Sequence, residues 1–218
     1  MPNMIRVRVN FNKTEAMRFT GHLDLYRTWE RTLRRANLPL AYSQGFKPHP
    51  RIQIAAALPL GFTSSNDLMD IWLEETLPVE TLLSRMTSVL PPGLEINSLT
   101  LVPLTQPALQ SLLIASEYQI KFLETIPDLT HRIQTLIQQP QIPIERRGKS
   151  YDLHPMILLI EEMKNCPRDN QCIHTLLKTE PSLHARPDEL VQAMGIQPEK
   201  ALFHRLKLHF AETNFSIN

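Results

Sequence analysis

Arginine, lysine and histidine side chains are concentrated between residues 17 and 51, where the sequence reads MRFTGHLDLYRTWERTLRRANLPLAYSQGFKPHPR. Guanidinium groups bind phosphates because their planar donors can engage two oxygens at once, and imidazoles exchange protons near neutral pH. The first 58 residues carry ten Lys and Arg against three Asp and Glu, a net charge of +7, whereas the whole chain is only +1. This segregation of charge is a prediction about partners rather than about fold.

Four arginines lie on the outer face of a helix that the sequence predicts from His22 to Ala36. Apolar side chains recur at spacings of three and four, which is typical of a helix that buries one stripe: Leu23, Tyr26, Trp29, Leu33 and Ala36. The cations fall away from this stripe: Arg27, Arg31, Arg34 and Arg35. We expect them to contact phosphates. The alternative is a solvated face that Asp24 and Glu30 partly neutralise.

The loop YSQGFKPHPR, residues 42 to 51, is a second candidate for anion binding. Gly45 permits backbone torsions that are closed to other residues, and two prolines restrain the chain on either side of a histidine. Such a loop can hold Lys47, His49 and Arg51 beside exposed backbone N–H donors, which predicts a site for a phosphodiester. The alternative is a plain connection that Phe46 anchors to the core.

His22 and His49 are the candidate catalytic residues, although no catalytic role is assigned to either. In an enzyme they would serve as acid and base, with Lys47 or Arg51 stabilising charge. His22 could equally cap the predicted helix. No local ligand spacing predicts a metal site, and the sequence has neither the GxxxxGK[ST] phosphate loop nor a GxGxxG motif.

Two further charged segments contribute candidate binding residues. The basic segment ERRGKSYDLHP, residues 145 to 155, predicts a hairpin and adds possible anion ligands: Arg146, Arg147 and Lys149. The alternative is that these cations protect an exposed strand edge from unwanted pairing. The acidic segment from residue 67 to 75 has the opposite sign, and Asp70 and Glu74 are its candidate partner-binding residues.

The order of elements predicts an α+β fold of two tandem ferredoxin-like units, each an antiparallel sheet covered by two helices. The predicted domains are residues 1–104 and 114–218. The first half has strands at 4–11, 51–58, 68–73 and 94–102 and helices at 22–36 and 79–90. The second half has strands at 118–123, 142–147, 173–177 and 202–209 and helices at 128–138 and 187–194. Residues 149–171 are read as an insertion that contains DLHPMILLIEEMKN, a segment expected to form either a further short strand or a helix.

Composition places the chain among ordinary globular proteins: 218 residues, of which 42% are hydrophobic. No run of about eighteen apolar residues exists and the N-terminus lacks an apolar signal core, so we expect a cytoplasmic protein without a membrane partner. In that compartment Cys166 and Cys172 are expected to be free thiols. Their spacing fits neither a CxxC pair nor an iron–sulfur cluster.

The segment RFTGHLDLYRTWERTLRRANLPLAYSQGFKPHPRIQIAAALPLG, followed by DLMDIWLEE, closely resembles the radical-SAM-linked proteins of bacteria. The resemblance covers roughly residues 4–102. The later YDLHP and HARPDEL resemble a weaker second-half pattern, with His154 where the family is expected to have Arg. The resemblance implies a domain of unknown function that is encoded beside or fused to a radical S-adenosylmethionine enzyme with a cobalamin-binding-type domain.

The resemblance also implies where cofactors reside. The iron–sulfur cluster, S-adenosylmethionine and cobalamin are expected in the partner and none in this chain, which lacks the CxxxCxxC cysteines. The leading hypothesis is a non-catalytic accessory module that presents RNA or a ribonucleoprotein to that enzyme. Two alternatives stay open: a protein-docking adaptor without RNA, and a metal-independent RNA-processing or nucleotide-modifying enzyme that uses His22 and His49.

Overall fold

The structure, a computed structural model, describes residues 4–166, 170–180 and 183–211. The chain forms two compact units of mixed helix and antiparallel strand. The first contains the residues up to Leu113 and again those from Phe210, and the second contains Ile114–His209. The first unit therefore includes the segment 105–113, which the sequence prediction left between its two domains. None of the described helices is long and apolar enough to cross a membrane.

The first unit follows the predicted order of strand, helix, strand, strand, helix, strand. Its elements are β1 (Ile5–Lys13), α1 (His22–Arg35), β2 (Ile52–Ile54), β3 (Phe62–Leu73), α2 (Val79–Thr87), β4 (Leu94–Val102) and the short α3 (Leu109–Leu112). The strands lie in the order β4-β1-β3-β2, and each neighbouring pair is antiparallel. β2 is only three residues long, whereas the sequence predicted a strand over 51–58.

α1 and α2 cover the same face of the sheet in this unit. Alternation along β1 buries Phe11, whose ring meets Trp29 of α1 edge-on with the ring centroids 5.0 Å apart. Leu82 and Met86 of α2 belong to the same buried cluster. Because α1 packs through one stripe against this core, its opposite side is left at the surface.

Lys13 and Gly93 fix the turn that leads into α1. The buried Lys13 ammonium donates to three backbone carbonyls, those of Arg18, Thr20 and Phe62, at 3.3, 2.8 and 2.9 Å. Gly93 has φ +95°, and a Cβ there would lie 2.7 Å from Cγ of Met17. Its carbonyl accepts a hydrogen bond from the backbone N–H of Thr14 at 2.9 Å. The start of α1 is therefore set by close backbone packing.

The second unit begins with β5 (Leu113–Phe122), α4 (Leu129–Gln138), β6 (Pro143–Arg146) and β7 (Lys149–Asp152). It continues with β8 (Ile157–Glu162), β9 (Cys172–Glu180), β10 (Leu183–His184), α5 (Pro187–Ala193) and β11 (Ala201–Phe210). In its sheet β9 pairs with β5, β8 and β10, and β5 also pairs with β11. β6 and β7 form a separate two-stranded hairpin.

The second unit differs from the prediction at its second strand. The segment 142–147 was expected in the main sheet, but it contributes to the separate hairpin. β9 pairs with β8 as well as with β5 and β10, and β8 lies in the segment that the sequence analysis treated as an insertion. Its sequence, ILLIEE, begins with four consecutive apolar residues, and such a short run does not distinguish strand from helix. The tandem ferredoxin-like arrangement is thus not confirmed in its predicted form.

The two cysteines are joined at the start of β9. Cys172 is buried and forms a disulfide with Cys166, with the Cα atoms 5.6 Å apart. The prediction of two free thiols is therefore wrong. It rested on the redox state of an expected compartment, which says nothing about how close two residues lie in the fold.

Candidate nucleic-acid interface

The four predicted arginines of α1 lie on its exposed side. The helix buries Leu25, Trp29 and Leu33 and turns the cations outward: Arg27, Arg31, Arg34 and Arg35. Asp24 in the first turn and the two arginines in the last turn complement the helix dipole, which favours a helix over these residues. The predicted cationic face of the helix is thus present at the surface.

Acidic neighbours on α1 neutralise this face only in part. Arg27 lies 3.4 Å from the exposed Asp24, and the exposed Arg34 lies 2.8 Å from Glu30, whose side chain is 20% exposed. Such surface ion pairs contribute only about 0–1 kcal/mol, so a phosphate can displace them at small cost. Among the described residues no carboxylate lies within ion-pair distance of Arg31.

The loop that follows is closed at its neck and exposed at its tip. The backbone N–H of Ser43 donates to the carbonyl of His49 at 2.8 Å, and the N–H of His49 donates back to Oγ of Ser43 at 3.1 Å. Gly45 has φ +135°, which other residues rarely adopt. Phe46 is fully exposed, and Lys47 is exposed beside it. The alternative in which Phe46 anchors the loop to the core is therefore wrong.

Two contacts join the loop to α1. The hydroxyl of Tyr26 donates to the carbonyl of Pro50 at 3.4 Å, and the guanidinium of Arg34 lies over the ring of Tyr42, 5.9 Å from its centroid. Burial, with a smaller effect of the charge on Glu30, raises the pKa of Tyr26, which keeps this donor protonated. We call the exposed residues that these contacts unite the α1–loop surface: Arg27, Arg31, Arg34, Arg35, Tyr42, Phe46, Lys47 and His49.

Arg51 is placed differently from the other predicted cations. It is half-buried, and its guanidinium lies over the ring of Trp72, 4.8 Å from the centroid. The guanidinium of Arg6 lies 5.0 Å from the same ring. Cation–π contacts of this kind hold a guanidinium in position. Arg51 therefore sits at the base of the loop, packed on an aromatic ring and away from the exposed tip.

Asp70 does not lie on the protein surface, where the sequence analysis predicted it to bind a partner. It is fully buried, and it accepts hydrogen bonds from Nε of Arg6 and from Nε of Arg8, each at 2.9 Å. β1 places Arg8 directly opposite Asp70 on β3, which explains the pairing. Arg6 also donates to the carbonyl of Pro107 at 3.0 Å. Glu74 is exposed, and its role in binding a partner stays a prediction.

The basic hairpin of the second unit holds one of its cations in a network. Nε of Arg146 donates to Glu189 of α5 at 2.6 Å, and a second guanidinium nitrogen donates to the carbonyl of His184 at 3.0 Å. The hydroxyl of Tyr151 donates to the same carboxylate at 2.6 Å. The hydrogen bond with Glu189 raises the pKa of Arg146. Arg146 thus has a structural partner, whereas Arg147 at the turn is exposed.

A row of carboxylates and imidazoles crosses the sheet of the second unit. Nε2 of His174 and Nε2 of His209 each lie 2.8 Å from an oxygen of Glu117, and Nδ1 of His174 lies 3.2 Å from Glu161. Burial alone would lower the pKa of His174, but the bonds with the two carboxylates outweigh it and raise that pKa. Burial would raise the pKa of Glu117, yet the two imidazoles lower it.

A family model described as "Uncharacterized protein conserved in bacteria (DUF2344)" matches residues 6–187. The chain belongs to this family. The description names no activity and no radical S-adenosylmethionine partner. No curated protein matches the chain.

Solved structures similar to this member of the family are of low identity. One is the "Crystal Structure of a Cbf5-Nop10-Gar1 Complex", at 12% identity and a TM-score of 0.48, covering 95% of this chain and 50% of that chain. Another is the "Crystal structure of the archaeal box H/ACA sRNP Nop10-Cbf5 complex", at 12% identity and a TM-score of 0.44, with 95% and 49% covered. The chain spans about half the length of these structures.

The aromatic side chains of the α1–loop surface were missed by the sequence analysis of this family member. Tyr42 and Phe46 are exposed, and exposed aromatic rings bind nucleobases by stacking. The sequence did contain an indication that Phe46 is exposed, because Gly45 and the prolines of the loop restrict how its side chain could reach a core. His22 begins α1 and His49 lies in the loop neck, and acid–base catalysis by either stays a prediction. Among the described residues no group of acids, histidines and cysteines is arranged to hold a metal ion.

Proposed function

We propose that this chain is a non-catalytic module that binds RNA through the α1–loop surface and presents it to a partner enzyme. The single observation that carries this proposal is the union of the basic helix and the basic loop, through the contacts of Tyr26 with Pro50 and of Arg34 with Tyr42. These contacts join the segment that carries Tyr42, Phe46 and Lys47 to the helix that carries the arginines.

The chemistry of this surface suits a single-stranded polyanion. Arginine donors engage phosphate oxygens in pairs, and aromatic side chains stack on bases without regard to sequence. Among the described residues, Asp24 and Glu30 form ion pairs with cations of α1, and the arginine of each pair is exposed, so a phosphate can replace the carboxylate. Arg147 and Lys149 of the hairpin are exposed and are proposed as secondary anion contacts, whereas Arg146 is not.

The identity of the partner rests on the sequence resemblance alone. We propose that the partner is a radical S-adenosylmethionine enzyme, which would hold the iron–sulfur cluster and the other cofactors. The segment from residue 18 to 61 carries that resemblance and also contains the α1–loop surface. A module that uses this segment for RNA would deliver substrate to an enzyme rather than transform it.

RNA affinity as a function of salt tests the proposal. Binding of an oligouridine should weaken steeply as salt rises, because each cation–phosphate contact releases counterions. Arg31→Glu/Arg34→Glu should weaken binding by about tenfold or more and reduce the salt slope by about two. The matched control is Lys164→Glu/Lys207→Glu, which changes the net charge equally at exposed positions outside the surface. Affinity that is independent of salt, or lost equally in both variants, would refute RNA binding here.

Crosslinking in native extract tests the partner. Wild-type protein and the Arg31→Glu/Arg34→Glu variant are recovered, and the co-purified proteins and RNA are identified. We expect the wild-type protein and the variant each to recover an enzyme that contains CxxxCxxC. We expect only the wild-type protein to recover RNA. Recovery of that enzyme without RNA would favour the adaptor, for which Glu74→Lys should weaken the association.

A further inference from the structure

A cleft of about 480 Å³ lies at the end of α1 in the first unit. Its walls are formed by Arg34, Tyr42, Glu75 and Arg85, and Leu38 and Leu40 contribute apolar surface. This volume is within the usual range for pockets that hold small organic ligands. A ring, a carboxylate and two guanidinium groups thus face one space of the size of a nucleotide.

Backbone contacts hold the cleft open. Leu40 forms an antiparallel bridge with Leu73 at the end of β3, and the backbone N–H of Glu74 donates to the carbonyl of Pro39 at 2.8 Å. These bonds fix the segment after α1 against the strand exit that carries Glu75. Because the cleft is built from paired backbone, it is preorganised for a ligand.

The polar groups of the cleft are also positioned. Arg85 of α2 donates to the carbonyl of Asn37 at 3.3 Å, so its guanidinium is held at the rim. Arg34 lies over Tyr42 and pairs with Glu30. Tyr42 remains 40% exposed, which leaves part of its side chain free to meet a ligand. The two guanidiniums and Glu75 together leave the cleft with a positive balance.

We propose that this cleft binds one unstacked guanine nucleotide of a single-stranded RNA. The inference rests on the proposed function, because Arg34 and Tyr42 belong to both the cleft and the α1–loop surface. The base would stack on Tyr42, and its phosphate would meet Arg34 or Arg85. The carboxylate of Glu75 would accept two hydrogen bonds from the Watson–Crick edge of guanine, where N1–H and the 2-amino group are adjacent donors. Adenine, cytosine and uracil do not offer that pair.

Oligouridines that carry a single G or a single A test the base preference. Wild-type protein should bind the G-containing RNA about tenfold more tightly, which is the discrimination expected of one bidentate contact to a base edge. Glu75→Gln should abolish the preference while RNA binding persists, because Gln lacks the second acceptor oxygen. The control Glu74→Gln changes the neighbouring exposed carboxylate and should keep the preference. No preference in wild type, or an unchanged preference in Glu75→Gln, overturns the inference and leaves RNA binding standing.

Guanosine 5′-monophosphate separates failure of the cleft from failure of RNA binding. Titration of the full chain, followed by NMR, should show saturable shifts at residues lining the cleft and weaker binding in Tyr42→Ala. Adenosine 5′-monophosphate should bind more weakly than the guanine nucleotide. If no RNA binds in any assay, the proposed function fails. Absence of a guanine-selective, Tyr42-dependent response at millimolar nucleotide then overturns the cleft assignment as well.

Discussion

The α1–loop surface of the first unit and the β6–β7 hairpin of the second unit are both rich in cations, but the fold pairs those cations differently. Both contain adjacent arginines, and both are candidates for anion binding by composition. On α1, Asp24 is exposed and pairs with an exposed Arg27, and Glu30, 20% exposed, pairs with an exposed Arg34. In the hairpin, Arg146 is held by Glu189, which is nine-tenths buried. We therefore expect a cluster of cations to bind anions where the fold does not hold those cations on a buried carboxylate.

Asp70→Ala should have the largest effect, because it removes the carboxylate from a buried pair. Arg6 is 3% exposed and would be left in the interior without its anion. We expect the free energy of unfolding to fall by about 3–5 kcal/mol, as measured by urea denaturation. Glu74→Ala, at an exposed neighbour, should change it by less than about 0.5 kcal/mol. If Asp70→Ala lowers the free energy of unfolding only slightly, the buried pair of Asp70 with Arg6 does not have the structural role that we assign to it.

Arg146→Ala tests the hairpin half of the contrast. The change leaves Glu189 and the hydroxyl of Tyr151 without their cation, and we expect a loss of about 2–3 kcal/mol in urea denaturation. Arg147→Ala is the matched control on the same turn, where the side chain is exposed, and it should lie within about 0.5 kcal/mol of wild type. Equal stability of the two variants would contradict a structural role for Arg146.

Phe46→Ala tests the α1–loop half of the contrast. Loss of one stacking ring should weaken binding of an oligouridine by about 1 kcal/mol or somewhat more, measured by fluorescence anisotropy. The thermal midpoint should not change, because Phe46 is fully exposed. Phe19→Ala removes another highly exposed phenylalanine of the same unit that is not part of the α1–loop surface. A loss of RNA affinity of the same size in Phe19→Ala would broaden the binding surface beyond the loop.

The smallest effect is expected from pH. The pKa of His174 is raised above its usual 6.5, so its contribution to stability is full below that pH and is lost as pH rises through the folded-state pKa. The pKa of Glu117 is lowered from 4.5, so its contribution is full above that pH and is lost as pH falls through the folded-state pKa. Urea denaturation across this range should show greatest stability between these values. His174→Gln should flatten the decline at higher pH, and an unchanged profile would contradict the assignment.

Periodicity predicted β1 and α1 of the first unit, whereas β2 is shorter than the predicted 51–58 and β3 starts six residues before the predicted 68–73. Alternation identified β1, and spacings of three and four identified α1 within one residue of its observed end. These patterns succeed because each element buries one face against a shared core. In the second unit the segment that forms β8 was left undecided between a short strand and a helix, since ILLIEE carries neither period. Its antiparallel pairing with β9 joins two segments that are separate in the sequence, and local sequence patterns do not encode such pairing.

Of the residues in the candidate site, the sequence analysis predicted the cations and did not predict the aromatic side chains. The outward direction of Arg31 follows from the buried stripe of α1, and the structure agrees with it. Burial of Asp70 could not be read from β3, because it depends on Arg6, which is 64 residues away and is itself held by the carbonyl of Pro107. The partner of Arg146 likewise lies 43 residues along the chain. Long-range pairing, and not residue type, decides which charges remain available.

The close packing at Gly93 has a consequence for genetic screens. Its φ of +95° and the 2.7 Å approach of Met17 to the place of a Cβ exclude other side chains without movement of the turn that precedes α1. A saturation library scored for loss of RNA binding should therefore return nearly every substitution at Gly93, alongside those at the arginines. Such hits would identify a position that shapes the surface and never touches the ligand, and they would separate from true contact positions by also lowering the yield of folded protein.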